Sequence, residues 1–252
     1  MKVKVLKQEQ SLTSTAVDEQ KDGSQVAQFY QDRVVFITGG TGFIGKVLLE
    51  KLLRSCPGLK RVYLLVRSKR GEKPQARLEK MLSSQMFERL RQEQPDAFAK
   101  VTALAGDLRE PNLGLSAFDQ AALVDSVSVV FHSGATVRFD EPLRQVFVHV
   151  STAYCNCDKR DVCEVIYPSP VSAEELIAAT QSANKDATGP KEDCLFGLPN
   201  AYTLTKRVTE SLLLEERGDI PVAIVRPSIV TAAIREPLPA QSLQKLKPFE
   251  ED

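Results

Sequence analysis

Short apolar runs alternate along the chain with stretches whose apolar residues recur at helical spacing. Residues 33–38, 61–67 and 100–108 are apolar runs rich in β-branched residues, and each predicts a buried strand. An amphipathic stretch over 43–56 follows the first run, and a charged amphipathic stretch over 75–94 follows the second. The first half of the chain is therefore predicted to fold in the order strand, helix, strand, helix, strand.

The same alternation continues in the second half of the chain. The apolar runs there predict three more strands and two helices; the strands cover residues 127–135, 146–154 and 221–227, and the helices cover 116–126 and 201–217. The stretch at 155–200, between the predicted strand at 146–154 and the predicted helix at 201–217, is rich in Pro, Ser, Ala and Lys and has no regular pattern. Continuous apolar strands that alternate with helices are typical of a parallel sheet covered on both faces. We therefore predict an α/β fold with a doubly wound parallel sheet, the architecture of the Rossmann fold.

The composition is that of one globular domain. Hydrophobic residues make up 42% of the 252 residues, and the basic and acidic residues balance to a formal net charge of +0. Without a net charge the chain has no overall field that would draw it to nucleic acid or to an anionic bilayer. We predict a polar, disordered leader over 1–28, one domain over 29–239 and a tail over 240–252. No apolar run approaches the length of about 18 residues that predicts a membrane span.

Cysteine usage favours a reducing, intracellular compartment. The five cysteines are an odd number, and the sequence contains no Asn-X-Ser/Thr acceptor for glycosylation. Cys155, Cys157 and Cys163 lie close together in sequence, but their spacing matches no zinc site, and His132 and His149 both lie inside apolar runs. We expect buried thiols and no metal.

A glycine-rich loop follows the first predicted strand and opens the first predicted helix. Gly39, Gly42 and Gly45 stand three residues apart within TGGTGFIGK. In that context the glycines allow a tight turn, a close approach to a pyrophosphate and close packing of helix on strand, and the helix N-terminus offers N–H groups to the phosphates. We expect Thr41, Phe43 and Ile44 to contact the dinucleotide together with the three glycines. The alternative is a glycine-rich turn that binds no ligand.

The ends of the next strands indicate which dinucleotide is bound. An acidic residue about 20 positions beyond the glycines would bind the ribose 2′-hydroxyl of NAD, but Arg67 stands there, with Lys69 and Arg70 close behind. Basic side chains suit a 2′-phosphate, so NADPH is the predicted cofactor, the alternative being a solvated basic turn. We expect contacts to adenine and its ribose at the ends of the third and fourth strands, from Asp107, Leu108, Gly134 and Ala135.

The segment NAYTLTK places two candidate catalytic side chains on one face of a predicted helix. Tyr202 and Lys206 are four residues apart, and an ammonium beside a phenol helps that phenol to give a proton to a carbonyl oxygen as hydride reaches the carbon. Lys206 would also hold the nicotinamide ribose. A Tyr-x-x-x-Lys spacing alone is common by chance, and it gains weight from the glycine loop.

Two further segments are expected to complete this site. Ser151 and Thr152 offer a hydroxyl at the end of the fifth strand that would orient the substrate carbonyl, and strand alternation lets only one of them serve. We choose Thr152 as the third catalytic residue. Pro227 and Ile229, after the sixth strand, are expected to pack on the nicotinamide, the alternative being an ordinary strand end.

The motifs TGGTGFIG, YLLVRSK, GDL, SGATVRFDEPL, HVSTAYCN, YTLTK and VRPSIV together resemble the alcohol-forming fatty acyl-CoA reductases, an extended branch of the short-chain dehydrogenases/reductases, over about residues 28–239. The resemblance implies reduction of a long-chain acyl-CoA by NADPH, through an aldehyde, to a fatty alcohol and CoA. It also implies that Tyr202 donates the proton, that Lys206 assists it and that Thr152 binds the carbonyl. Family members associate with peroxisomal or endoplasmic reticulum membranes, which is the expected location.

The sequence departs from that family at two places. Between Gln145 and Val146 the family has about two dozen additional, helical residues, and only the ten residues 136–145 join the fourth strand to the fifth here. Ten extended residues span about 33 Å, so the connection is feasible, but one sheet face is expected to lose its helical cover. After Pro239 the family continues into a further substrate region and a C-terminal domain. We expect a shortened form with lower stability and an incomplete acyl tunnel.

Three functions remain open from the sequence. The first is an active fatty acyl-CoA reductase, and the second is a catalytically silent form that still binds a dinucleotide or acts through partners. The third, an extended reductase for a nucleotide sugar or a sterol, shares the glycine loop and the Tyr-Lys pair but leaves FDEPL and STAYCN unexplained. We rank it last.

Overall fold

The chain forms a six-stranded parallel sheet with helices on both faces. The computed structural model describes residues 24–69, 71–134, 146–182, 195–231 and 236–237. The strands are β1 (Val34–Thr38), β2 (Arg61–Val66), β3 (Val101–Ala105), β4 (Val129–His132), β5 (Val146–Val150) and β6 (Val222–Val225). The helices are α1 (Gln25–Phe29), α2 (Phe43–Ser55), α3 (Pro74–Leu82), α4 (Glu88–Glu93), α5 (Ala117–Ser126), α6 (Ala173–Ser182) and α7 (Ala201–Glu216).

The strand order confirms the predicted doubly wound α/β fold. The six strands lie in the order β3-β2-β1-β4-β5-β6, and every neighbouring pair is parallel. The chain reverses its direction of winding between β1 and β4, and ligands of open α/β sheets bind at the carboxyl ends of the strands beside such a reversal. The carboxyl end of β1 carries the glycine-rich loop, so the fold places that loop where a ligand is expected.

Two apolar clusters hold helices against the opposite faces of the sheet. On one face, side chains of β1, β2 and β4 pack against α2, α3 and α4, with Ile37, Leu49 and Leu64 fully buried. On the other face, Phe36, Val130 and Phe147 pack with Leu123 of α5 and Leu213 of α7. Burial of such side chains contributes about 1.5–3 kcal/mol each, so the clusters fix both layers around the sheet.

The long helix predicted over 75–94 is wrong as a single element. The chain forms α3, a 3-10 turn over Gln85–Phe87 and then α4. The guanidinium of Arg91 donates to the carbonyl oxygens of Leu82 at 2.5 Å and Ser84 at 3.1 Å, so it satisfies the backbone where α3 ends. Met86 and Phe87 in the turn are buried in the core. Tertiary packing has therefore overridden a continuous amphipathic pattern.

The stretch predicted to be irregular contains α6. Its N-terminus is a capping box: the Glu175 N–H donates to Ser172 Oγ at 3.1 Å, and the Ser172 N–H donates to a Glu175 carboxylate oxygen at 3.0 Å. The sequence Ser-x-x-Glu carries this signal, which the sequence analysis overlooked.

The fifth strand is shorter than predicted, and two cysteines are not buried. The strand ends at Val150, and Thr152 caps a 3-10 helix over Ala153–Asn156. Cys56 and Cys155 are buried as expected, but Cys157 and Cys163 are exposed because they follow that helix into a surface segment. Cys194 lies outside the described residues, and within them no cluster of three or more His, Cys, Asp or Glu side chains has the geometry of a metal site.

Among the residues that the structure describes, one face of the sheet is exposed at β5 and β6. Val148 and Val150 of β5 are only half-buried, and Ala223 and Val225, their partners on β6, are exposed. Val148 packs against the cluster that contains α2, which identifies the open face as the α2 side. Residues 135–145 of the connection between β4 and β5 lie outside the described part, and the predicted break between Gln145 and Val146 lies at its edge. The expected loss of helical cover therefore stays a prediction.

The first residues that the structure describes, 24–28, fall within the predicted leader over 1–28. Helix α1 starts at Gln25, and Tyr30, which follows it, packs against the core beside α2. Helix α1 itself has no buried residue, and Tyr30 lies inside the predicted domain, so the boundary at 29 stays a prediction. Among the helices that the structure describes, none combines the length and apolar character needed to cross a bilayer.

Candidate active site

The glycine loop is packed against the end of β4. Gly39 has φ +70°, and a Cβ there would lie 2.6 Å from the Gly134 nitrogen and 2.6 Å from the Ser133 carbonyl carbon. A Cβ on Gly45 would collide with the Gly39 carbonyl oxygen and the Gly40 Cα. Both positions therefore require glycine, for the turn and for the close approach of α2 to the loop.

The N-terminus of α2 opens directly from this loop. Gly42 is the N-cap residue and has no side chain to accept a bond from the first helical N–H groups, which include those of Phe43 and Ile44. Ile44 is 37% exposed at the surface of this turn. An uncapped 13-residue helix whose N-terminus meets a glycine turn at the carboxyl end of β1 has the geometry that binds a pyrophosphate.

A cationic cavity of about 370 Å³ lies beside the loop. Its lining combines Thr41 of the loop and Lys69 after β2 with three basic residues that the sequence analysis missed: Lys46, Arg77 and Lys80. Glu72 also lines the cavity. Arg77 donates a hydrogen bond to the Arg67 carbonyl oxygen, so α3 is tied to the predicted 2′-phosphate turn, where the Arg67 side chain is exposed. The basic residues of α2 and α3 have helical spacing, and only the fold brings them to this turn.

The segments that follow β3 and β4 meet beside the loop. Leu108 approaches Gly134 so closely that a Cβ on that glycine would collide with it. The Asp107 carboxylate accepts hydrogen bonds from the Arg109 backbone N–H and guanidinium, and this interaction lowers the pKa of Asp107 to about 2. Asp107 therefore stays ionised and is held by a neighbouring cation. Ala135 lies outside the described residues.

Helix α7 carries the predicted catalytic pair. The Asn200 side chain caps it by accepting the Thr203 N–H at 2.9 Å, which places Tyr202 in the first turn, where it is 51% exposed. Lys206 is buried, and its Nζ donates to the Val150 carbonyl oxygen at 2.8 Å. Burial lowers the pKa of Lys206, while Cys155 and Glu210 oppose that shift. An ammonium has three donors, and the bond to Val150 uses one of them.

The two candidate hydroxyls after β5 have different surroundings. The Thr152 Oγ1 accepts the Tyr154 N–H at 3.3 Å, so this hydroxyl keeps its own hydrogen for a further acceptor. The Ser151 hydroxyl lies 3.8 Å from the Cys155 sulfur in the interior. Both residues are buried. The choice of Thr152 stays a prediction.

The segment after β6 is joined to the Thr152 turn. The Ala153 N–H donates to the Pro227 carbonyl oxygen at 2.9 Å, and the Ser151 N–H donates to the Val225 carbonyl oxygen at 2.8 Å. Ile229 is 73% exposed beyond this junction. The carboxyl ends of β5 and β6 and the first turns of α7 thus converge, and the predicted nicotinamide contacts lie at this convergence.

Two stacked imidazoles lie between the two halves of the site. The rings of His132 and His149 are 5.6 Å apart, and His132 Nδ1 shares a hydrogen bond of 2.7 Å with Thr38 Oγ1 at the end of β1. His149 is fully buried, and burial, then the charge of Lys206 and then His132, lower its pKa from 6.5 to about 3. His149 is therefore a neutral spacer beside Lys206 at neutral pH.

The buried His149 should make the fold sensitive to mild acid. Between pH 6.5 and the folded pKa of about 3 the unfolded chain binds the extra proton, so stability is full above pH 6.5 and falls as the pH drops below it. From pH 6.5 to pH 5 the loss should be about 2 kcal/mol. Thermal unfolding at both pH values measures it, and His149→Gln should unfold with a smaller pH dependence; an equal dependence in both proteins would contradict the assignment.

A model of the male sterility protein family, an NAD-binding family, matches residues 37–147 and 143–247. The chain is 44% identical to fatty acyl-CoA reductase 1 of Xenopus laevis over 238 residues, a match that covers 85% of this chain. It is 37% identical to fatty acyl-CoA reductase 2 of Bos taurus over 243 residues, a match that covers 86% of this chain. Among solved structures it resembles the reductase domain of a nonribosomal peptide synthetase from Mycobacterium tuberculosis, with 28% identity and a TM-score of 0.53, over 80% of this chain and 49% of that one.

The matches also show how much of the relatives this chain represents. It spans about half the length of the curated relatives, 46% for the Xenopus laevis protein and 47% for the Bos taurus protein. Since 85% of 252 residues is about 214, about 24 of the 238 aligned positions have no counterpart in this chain. The two parts of the family match meet at 143–147, the place where the internal segment is expected to be missing. Through both halves of its sheet, the chain belongs to the male sterility protein family.

Proposed function

We propose that this chain binds NADPH and reduces a long-chain fatty acyl-CoA, through the aldehyde, to the alcohol. The observation that carries the proposal is the convergence of Thr152, Lys206 and Pro227 at the carboxyl ends of β5 and β6, on the sheet edge that also holds the Gly39 loop. The names of the curated relatives supply the substrate class. The resemblance in sequence is the only support for a location at peroxisomal or endoplasmic reticulum membranes.

The residues of the site have separate roles in this reaction. NADPH, when bound, supplies a hydride for each of the two reductions. The Thr152 hydroxyl donates to the substrate carbonyl oxygen and orients it, and Tyr202 gives that oxygen a proton as the carbon is reduced. Loss of the CoA thiol from the first reduced carbon releases the aldehyde, which the same residues bind for the second reduction. Lys206, held by Val150, has the role of the cationic partner of Tyr202, one helical turn away on α7.

The cationic cavity supports NADPH over NADH. Replacing Lys69 and Arg77 together by Ala should weaken NADPH binding by about 100-fold or more, because each charge-assisted bond to a phosphate contributes about 1.5–3 kcal/mol and the double variant loses two of them. NADH binding should change little, since NADH has no 2′-phosphate. Fluorescence titration with both dinucleotides measures the two affinities. Lys60→Ala, at the opposite end of β2, is the matched control, and an equal loss for NADH and NADPH would argue against a 2′-phosphate site.

The second candidate function is a silent form that retains dinucleotide binding. The observation in its favour is the open face at Val150 and Val225, together with the aligned positions that have no counterpart here. This form would bind NADPH without oxidising it in the presence of an acyl-CoA.

One experiment distinguishes the two functions. The purified chain is titrated with NADPH and assayed with hexadecanoyl-CoA, beside a version in which a helical segment of about two dozen residues is inserted after Gln145. Oxidation of NADPH by the chain as it stands supports the reductase. NADPH binding without oxidation, with oxidation by the restored version, supports the silent form, and no binding of NADPH by either protein would refute both proposals.

A further inference from the structure

A fully buried carboxylate lies one helical turn beyond Lys206. Glu210 of α7 is 0% exposed, and its two oxygens accept the Arg226 guanidinium in a bidentate pair, with Nε at 2.9 Å from Oε1 and Nη2 at 2.6 Å from Oε2. Arg226 directly follows β6 and precedes Pro227. The pair therefore joins the helix of the Tyr-Lys residues to the strand end that is expected to meet the nicotinamide.

The same carboxylate also reaches the turn that contains Thr152. The Cys155 sulfur lies 3.4 Å from Glu210 Oε1 and 3.0 Å from the Thr152 carbonyl oxygen. Burial, reinforced by the charge of Glu210, raises the pKa of Cys155 to about 11, so the thiol keeps its proton and can donate it to either oxygen. Asn156 donates to the sulfur at 3.1 Å. The Cys155 thiol therefore brings the Thr152 turn into contact with Glu210, through one S–H donor that bonds to one of the two oxygens at a time.

Arg226 contacts one more segment on its other side. Its guanidinium donates to the carbonyl oxygens of Val165 at 2.8 Å and Cys163 at 3.3 Å. Together the two side chains connect α7, the end of β6, the 3-10 helix after Thr152 and the loop at 163–165. These include all three segments that carry Thr152, Lys206 and Pro227.

Stability alone is a weak reason for such a pair. Removing two charges from water is costly, and a buried ion pair often contributes little net stability compared with apolar residues of the same volume. What a bidentate pair supplies is a fixed geometry, since the planar guanidinium matches the carboxylate in one orientation. A reaction that needs a hydroxyl, a phenol and a nicotinamide in register is sensitive to displacements of about 1 Å.

We propose that Glu210 is a positioning residue of the redox site: with Arg226 and Cys155 it fixes Thr152, Lys206 and Pro227 relative to one another. This inference rests on the proposed function for its effect on turnover. The inference also states that Glu210 fixes the backbone of the Thr152 turn, and this can be measured without an activity assay.

The test compares Glu210→Gln with a matched buried pair. Glu50 of α2 is 1% exposed and pairs with Arg54 at 2.7 Å, away from the predicted catalytic residues, so Glu50→Gln removes an equivalent charge from the other half of the fold. Two quantities are measured: NADPH oxidation with hexadecanoyl-CoA per bound NADPH, and hydrogen exchange of the Ser151 and Ala153 amides, which bond to Val225 and Pro227.

We expect Glu210→Gln to lower turnover per bound NADPH by about tenfold or more, with a dissociation constant for NADPH within about threefold of the original. Exchange of the two amides should accelerate by about tenfold or more, and Glu50→Gln should leave both quantities unchanged even where it lowers the melting temperature. Cys155→Ser, which retains a donor, should preserve slow exchange better than Cys155→Ala.

The inference and the proposed function fail in different ways. If the original chain does not oxidise NADPH, the reductase proposal fails, and amide exchange still decides whether Glu210 fixes the turn. If Glu210→Gln leaves amide exchange unchanged, or if Glu50→Gln disturbs the same amides equally, Glu210 has no special positioning role. Should Glu210→Gln fail to fold, Arg226→Lys, which retains the charge and loses the bidentate geometry, provides the same comparison.

Discussion

Replacing Tyr202 by Phe should reduce turnover by about 100- to 10,000-fold while NADPH stays bound. The substitution removes one hydroxyl from the first turn of α7, where the side chain is half exposed, so little packing is lost. The ring of Tyr202 and the glycine loop, which we propose binds the dinucleotide, are unchanged by the substitution. NADPH oxidation and NADPH titration of the same preparation measure the two effects, with hexadecanoyl-CoA and with hexadecanal as substrates.

The neighbouring Tyr154→Phe is the matched control. Tyr154 is 43% exposed on the 3-10 helix after β5, and only its backbone N–H contacts Thr152. We expect it to retain turnover within about threefold, since a surface substitution of this kind changes stability by about 0.5 kcal/mol or less. If Tyr202→Phe kept full activity with either substrate, Tyr202 could not be the proton donor. The assay uses the form that oxidises NADPH, either the chain as it stands or its crossover-restored version.

Much of the fold could be predicted because its signals are local. Each strand of the first half is a short apolar run between turn residues, and the structure places β1, β2 and β3 inside the predicted ranges. The errors arise where distant side chains decide. Arg91 ends α3 by binding the carbonyl oxygens of Leu82 and Ser84, a contact that a pattern of apolar positions does not contain.

The same distinction applies to the candidate site, where signals within one element could be predicted and contacts between elements could not. The glycine spacing and the Tyr202–Lys206 spacing each lie within one short segment, so they could be predicted from the sequence alone. The positions of Lys46 and Arg77 around the cationic cavity depend on how two helices lie on the sheet. The Glu210–Arg226 pair joins a helix to the following strand, and a buried pair of charges has no sequence signature that distinguishes it from a solvated one.

Replacing Gly39 by Ala should weaken NADPH binding by at least about 100-fold and lower the stability of the fold. The left-handed φ of +70° costs an L-residue about 1–2 kcal/mol. In addition, the new Cβ would lie 2.6 Å from backbone atoms of Ser133 and Gly134, which are held by β4 and cannot rotate away as a side chain would. The loop must move off the end of β4, and the N–H groups of α2 then lose their alignment on the pyrophosphate.

Gly218→Ala is a control that has the backbone strain of a positive φ but not the close contact of a new Cβ with neighbouring backbone atoms. Gly218 also has a positive φ, +52°, but a Cβ there meets nothing within 4 Å, and it lies in the turn before β6, at the opposite end of the sheet from the glycine loop. The Gly218→Ala variant should therefore lose only as much free energy of unfolding as the backbone strain costs, and its affinity for NADPH should stay unchanged. Fluorescence titration and thermal unfolding of both variants measure the two effects. Equal affinities for NADPH in Gly39→Ala and the original chain would show that the dinucleotide does not depend on this loop, because a phosphate cradle displaced from the end of β4 cannot retain the same contacts.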